Sequence, residues 1–327
     1  CINFTVYISL KLDYRMNNPH LSTEATLLYL PTPDGHKIPI RHWPVAQPRA
    51  VIHLVHGMAE HSGNYDDVAA FFNQYHFAVL AHDHRCHGLS SEQLGNVDKI
   101  QNWQGVLEDM PLIHNWIKAT YQQLPVVIIA HSMGSFISQH FVQNNPKAVQ
   151  ALALAGSDFL PTWFTAAASR LAKLETCRQG VNGRSDLIHG LAFGKFGKAI
   201  KNARTEFDWL SRNPAWVDKY IADPLCGFRM ANAYWRDFLK TLSQIYTPSA
   251  LKKIPQELPV YIFAGANDPV GHHGKGVKKL ADAHKKYRKA EVTLKVYPDG
   301  RHDILHESNA NEVRYDLLSW LLSELPR

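Results

Sequence analysis

Four consecutive branched apolar residues, Val126-Val127-Ile128-Ile129, follow Pro125 and lead into Ala130-His131-Ser132-Met133-Gly134. Such a run, with no polar alternation, reads as a strand buried on both faces, which requires a sheet covered by helices on each side. Beyond Gly134, Phe136, Ile137 and Phe141 recur at helical spacing. The residues between form a small-x-Ser-x-small pattern, with Ala130 before the serine and Gly134 after it. A sharp strand-to-helix turn holds its serine in a strained backbone, and bulky neighbours would block it. The turn lifts the hydroxyl clear of the sheet. It also puts the next N–H, that of Met133, at a helix N-terminus, where negative charge is stabilised. Five residues alone fit an ordinary strand–helix turn equally well, so a nucleophilic Ser132 must be supported by the rest of the chain.

The flanking sequence alternates strand and helix patterns. Residues 26–30 and 37–43 flank Thr32-Pro33-Asp34-Gly35, a hairpin signal. Strands are expected at 50–55, 77–81, 126–129 and 149–155. Helices are expected at 65–75 and 103–121, the second with Val106, Leu107, Met110, Ile113, Trp116 and Ile117 on one face. After residue 157 the pattern changes to scattered aromatics and glycines with no clear strand, and it resumes at 260–264. A helix across 275–288, a strand at 292–297 and a helix at 312–322 complete the chain. The expected fold class is α/β, a mainly parallel central sheet flanked by helices and carrying a helical cap. The expected organisation is an extension at 1–25, a core at 26–156 and 251–325, and a cap at 157–250. Residue 1 is Cys: one expectation takes Met16 as the true start with 1–15 an upstream extension, and the rival takes a processed lipoprotein beginning at a lipidated Cys1.

Charge and cysteine content narrow the function. Thirty-five basic and 29 acidic residues give a net charge of +6, which suits transient contact with an anionic membrane surface and equally an ordinary solvated basic surface. No nucleic-acid motif accompanies it, and no apolar run approaches the roughly 20 residues that span a bilayer. Cys1, Cys86, Cys177 and Cys226 match no metal or disulfide spacing and read as free thiols of a cytoplasmic protein, peripheral to the inner face of a membrane.

A serine hydroxyl needs a base in contact and a third group to orient that base. Asp268, in Ala264-Gly265-Ala266-Asn267-Asp268-Pro269-Val270, follows the strand at 260–264. His302, in Tyr297-Pro298-Asp299-Gly300-Arg301-His302, follows the strand at 292–297. The order Ser132, Asp268, His302 puts all three at the carboxyl ends of parallel strands, on one face of the sheet. Asp299, three residues before His302, is the competing acid. His56-Gly57 ends an early strand, so the Met58 and Met133 N–H groups are the candidate oxyanion hole. His82, Asp83, His84, Cys86 and His87 look like a metal cluster but match no zinc spacing. They read as a hydrogen-bonded loop bracing the site, and neither metal nor cofactor is expected. The basic run from Lys275 to Lys289 reads as a solvated helix face.

With these stretches in place, the chain resembles the α/β-hydrolase group of lysophospholipases and monoacylglycerol lipases over about residues 26–323. His56-Gly57-Met58-Ala59-Glu60-His61-Ser62 looks like the family's oxyanion segment. Asp83-His84-Arg85-Cys86-His87-Gly88-Leu89-Ser90 looks like its Asp-x-Arg-Gly-His-Gly-x-Ser loop. His131-Ser132-Met133-Gly134, Asp268-Pro269-Val270-Gly271 and Gly300-Arg301-His302 match the nucleophile, acid and base segments, and Asp223–Phe228 resembles a cap motif. Cys86 and Ser135 stand where glycine is usual, as does Ala130 at the elbow. The resemblance implies a serine hydrolase acting on a small amphiphilic acyl ester, a lysophospholipid or monoacylglycerol. The rivals are a small-ester esterase or peptidase on the same fold, and a non-catalytic binding protein that retains it.

Overall fold

The structure, a computed structural model, describes residues 24–194 and 196–325; the expectations for Cys1, residues 1–15 and Met16 lie outside them. Eight strands form one sheet: β1 (Thr26–Pro31), β2 (Lys37–Trp43), β3 (Ala50–Val55), β4 (Phe77–His82), β5 (Val126–His131), β6 (Ala151–Ala155), β7 (Val260–Gly265) and β8 (Thr293–Tyr297). Their order is β1-β2-β4-β3-β5-β6-β7-β8. The β1–β2 and β2–β4 pairs are antiparallel and all the others parallel. The hairpin closes at the expected turn, where Gly35 takes φ 86° and donates its N–H to the Thr32 carbonyl.

Every residue of β3 to β7 is buried, as their mostly apolar runs require. Alternate residues feed two cores. Val126, Ile128 and Ala130 face α2 (Trp103–Tyr121) and α3 (Met133–Asn144), packing with Met110, Ile113 and Phe141. Val127 and Ile129 belong to the opposite core with Val68 and Phe72 of α1 (Asp66–Asn73). The last helix packs into that same core.

Between β6 and β7 the chain forms only helices among the described residues: α4 (Thr162–Gln179), α5 (Asp186–Ala192), α6 (Phe196–Ala199), α7 (Pro214–Ala222), α8 (Asn232–Ile245) and α9 (Pro248–Leu251). The helix expected across 275–288 is shorter. α10 spans Lys275–Ala283 and passes into a π-helical turn at His284–Arg288. That turn rotates Arg288 inward, so this member of the expected solvated basic face is buried. Its Nε donates to the Pro255 carbonyl at 2.7 Å and its Nη2 to that of Gln256 at 3.0 Å. Burial lowers its pKa to about 10. α11 (Ala310–Glu324) closes the chain. No helix among the described residues is long and apolar enough to cross a membrane.

Two anchors hold the loops at the carboxyl end of the sheet. A Cβ on Gly134 would sit 2.2 Å from the Val55 carbonyl oxygen, so α3 can start against the end of β3 only if residue 134 has no side chain. His306 is buried between Asp303, at 2.9 Å, and Asp67 of α1, at 3.3 Å, and it stacks on Trp216 of α7 at 3.8 Å. Burial alone would lower its pKa, but the two carboxylates outweigh it and raise it to about 9.

Both anchors are testable. Gly134→Ala should cost about 3 kcal/mol by urea unfolding, from overpacking against backbone that cannot move aside; a loss below about 0.5 kcal/mol would contradict that packing. For His306 the folded pKa lies above the unfolded value of about 6.5. Its contribution is therefore complete below that pH and lost as pH rises through about 9. The stability gap between wild type and His306→Gln should be largest near pH 6 and shrink by about pH 10. A gap that stays constant over that range would mean His306 gains nothing from its charge.

Candidate active site

Ser132 sits where β5 turns into α3, with φ 49° and ψ −118°. This is a strained conformation for a residue with a side chain. Neighbouring backbone holds it: the Ser132 N–H donates to the Ala155 carbonyl at 2.9 Å. Ser135, in a position where glycine is usual, fits because its hydroxyl donates to the Ser132 carbonyl at 2.6 Å and lies 2.8 Å from the Ser157 hydroxyl. Cys86, another departure, takes φ 68° in the left-handed region, the conformation for which glycine is the usual choice.

The structure brings the predicted residues together. His302 Nε2 lies 2.9 Å from Ser132 Oγ, and His302 Nδ1 lies 3.0 and 3.1 Å from the two Asp268 oxygens. Asp268 is fully buried and also accepts the Val270 N–H at 2.8 Å. With Asp268 accepting at Nδ1, the imidazole carries its proton there and offers Nε2 to the serine. Asp299 lies elsewhere: it is exposed, at φ 60°.

Met58 and Met133 both line the cavity that contains Ser132. His56 Nδ1 donates to the Gly57 carbonyl at 2.7 Å. In a trans peptide the N–H points opposite to the C=O, so the Met58 N–H points away from His56. The loop histidines fix that geometry. His56 Nε2 accepts the His84 N–H at 3.0 Å, and His84 Nε2 donates to the His56 carbonyl at 3.2 Å. His84 Nδ1 therefore accepts from His82, at 3.0 Å, and His82 Nδ1 accepts from His53, at 2.9 Å. Each ring has one tautomer, and burial holds all four below the usual histidine pKa, so the chain is neutral. The expected bracing loop is thus a row of histidines that also draws in His53 and His56.

Sequence reasoning gave no role to Glu60 or His131. Glu60 Oε1 accepts the Gly57 N–H at 2.5 Å and pairs with His131 Nδ1 at 2.8 Å. Burial alone would raise the Glu60 carboxyl, but His131 pulls it down to about 2. His131 shifts upward, because Asp303 and Glu60 outweigh its own burial. Its Nε2 is buried without a hydrogen-bond partner, and the ring lines the cavity. Both residues sit inside recognisable segments, but nothing in the sequence signals that they pair.

The cavity has a volume of about 900 Å³. Its floor is Ser132, Gly57 and His302; its walls include Leu160, Phe164, Leu171, Phe193 and Phe228 from residues 157–250. The segment between β6 and β7 also holds the histidine loop directly. The Trp209 and Leu210 carbonyls accept the His302 and Asp303 N–H groups at 3.3 and 2.7 Å.

Among the described residues, His61, Asp223 and Cys226 could offer metal ligands, their atoms lying within 4.8 Å of one another. Hydrogen bonds already use these groups. His61 Nδ1 accepts the Gly63 N–H, which leaves the proton on Nε2 to pair with Asp223 at 2.8 Å, and Asn64 donates to Cys226. The described cysteines, Cys86, Cys177 and Cys226, are free thiols.

The Hydrolase_4 family profile, described as serine aminopeptidase S33, matches residues 46–309. Monoglyceride lipase of Rattus norvegicus is 25% identical over 300 residues, 90% of each chain. Monoacylglycerol lipase of Mycolicibacterium smegmatis is 28% identical over 287 residues, 86% of this chain and 91% of its own. A thermostable carboxyl esterase of Bacillus coagulans superposes with TM-score 0.81 at 26% identity, covering 93% of this chain and all of the esterase. A soluble variant of monoglyceride lipase from Saccharomyces cerevisiae shares the fold at TM-score 0.72 and 20% identity, over 94% of this chain and 98% of its own. With the α/β-hydrolase architecture matched along nearly its whole described length, the chain belongs to the Hydrolase_4 family and is a serine ester hydrolase akin to the monoglyceride lipases.

Proposed function

We propose that the protein hydrolyses the carboxylic ester of single-chain acyl lipids, a monoacylglycerol or lysophospholipid, through an acyl-enzyme on Ser132. The observation that carries this reading is the unbroken relay of 2.9 and 3.0 Å contacts from Ser132 through His302 to Asp268, opening into an apolar cavity. Ser132 Oγ attacks the ester carbonyl while His302 Nε2 takes its proton. The carbonyl oxygen becomes an oxyanion facing the Met58 and Met133 N–H groups. The intermediate collapses, the C–O bond to the alcohol breaks, and His302 returns the proton to that oxygen. Water then repeats the sequence on the acyl-enzyme and releases the fatty acid. Asp268 keeps the imidazole in the required tautomer and stabilises its cation.

The lining of the cavity supports the substrate class. The cap side is lined by Leu160, Phe164, Leu171 and Phe193, which would desolvate an acyl chain at about 0.8 kcal/mol per CH₂. Glu60 and His131 line the cavity beside Gly57 and Ser132, polar groups suited to the alcohol. The names of the lipase relatives support an acylglycerol ester. The family description favours a second reading, a peptidase, in which the same serine would attack an amide.

Three expectations follow for the machinery. Ser132→Ala should abolish hydrolysis with the fold intact, read by turnover beside unfolding. Asp268→Asn should lower kcat on the order of 10⁴-fold. Asp299→Asn should change it little, and the reverse ranking would put the acid at Asp299. For the substrate, kcat/KM across p-nitrophenyl esters should rise with chain length, and monoacyl lipids should turn over faster than their diacyl counterparts. Preference for acetyl esters, equal rates on diacyl lipids, or faster cleavage of aminoacyl amides would overturn the single-chain lipid reading.

A further inference from the structure

The loop after β3 is gripped from two sides, and Met58 lies between the grips. On the core side Gly57 is fixed at both ends of its backbone, its N–H on Glu60 and its carbonyl on His56. On the far side is Ala59, at φ 57°, a left-handed conformation that alanine disfavours. Such a conformation persists only where its surroundings hold it. The groups that hold the Ala59 carbonyl come from the cap. The Tyr220 hydroxyl donates to it at 2.9 Å, and the Gly227 N–H donates to it at 2.9 Å and reaches the Tyr220 oxygen at 3.2 Å. Tyr220 is buried, so water does not replace its hydroxyl. Two residues further on, His61 Nε2 donates to Asp223 at 2.8 Å.

We propose that the cap segment from Tyr220 to Gly227 is a positioning element for the oxyanion hole: it holds Ala59 and His61, and through them aims the Met58 N–H at the reacting carbonyl. Tyr220 and Asp223 are positioning residues in this account: the Tyr220 ring lines the cavity but its hydroxyl is engaged on the Ala59 carbonyl, and Asp223 is not among the lining residues. Docking of the cap and assembly of the oxyanion hole become one event. A substrate that lifts the cap loosens the hole, and a chain that fits beneath the docked cap meets it complete. The inference rests on the reading of Met58 as an oxyanion donor.

The test separates binding of charge from binding of shape. An acyl trifluoromethyl ketone forms a hemiketal: Ser132 Oγ bonds to the carbonyl carbon, the serine proton moves to His302 Nε2, and the oxygen becomes the oxyanion. A 1-O-alkylglycerol of equal chain length fills the cavity without an oxyanion. Tyr220→Phe should weaken the ketone and lower kcat together, each about tenfold, less than the 10²–10³ of losing a donor outright. Its affinity for the ether and its KM should stay within about twofold of wild type. Asp223→Ala should act in the same direction, and Asp223→Asn should recover part of the ketone affinity, because the amide oxygen can accept from His61 but no second oxygen is left for the Leu225 N–H. Equal losses for ketone and ether would make the segment a wall of the cavity and overturn the proposal. So would unchanged ketone affinity in both Tyr220→Phe and Asp223→Ala. A wild-type protein that binds the ketone no better than the ether would instead remove the oxyanion reading itself.

Discussion

The backbone of Ser132, at φ 49° and ψ −118°, is the constraint on which the site depends. A residue held there costs of order 1–3 kcal/mol, and the conformation survives because the surroundings leave no alternative. β5 is paired on both sides, to β3 and β6, and buried at every residue, so the strand cannot shift. α3 begins immediately after the serine and packs so tightly on the end of β3 that residue 134 must lack a side chain. The Ser132 amide is tied to β6 through the Ala155 carbonyl. With the serine fixed, β7 and β8 deliver Asp268 and His302 to it from the same end of the sheet.

The helices between β6 and β7 are part of this site rather than a cover over it. The turns that join them hold the histidine loop through the Trp209 and Leu210 carbonyls, and Tyr220 of α7 with Gly227 beyond it holds the loop after β3. The same segment supplies Leu160, Phe164 and Phe193 to the apolar wall. On the proposed function, an acyl chain bound there and the alignment of the reacting groups draw on one set of contacts, which is how remote binding energy can serve the chemical step.

The sheet was legible because its central strands are buried on both faces, so their apolar runs carry no competing period. The strands expected at 37–43 and 50–55 have the observed bounds of β2 and β3. Val149 shows the limit: it packs in the core ahead of β6 without pairing, and apolar character alone does not separate the two. Arg288 shows another. A helical period places it with the exposed lysines, and only the π turn, which no local pattern announces, turns it toward the Pro255 and Gln256 carbonyls. In the site, Ser132, Asp268 and His302 were readable because each follows a strand in the required order. The pairing of Glu60 with His131 was not, since it joins side chains 71 residues apart. His53 was hidden for a different reason: it is a polar residue inside an apolar strand, and its partner becomes visible only when β3 lies beside β4.

The central claim is that Ser132 carries the acyl group during turnover. The direct measurement is to mix the protein with a monoacylglycerol, quench in acid within one turnover, and map the adduct by peptide mass spectrometry. The account predicts one acyl group per chain, on the peptide containing Ser132, and none in Ser132→Ala. Continued turnover with Ser132 unmodified, or an acyl group on another residue that survives Ser132→Ala, would contradict it.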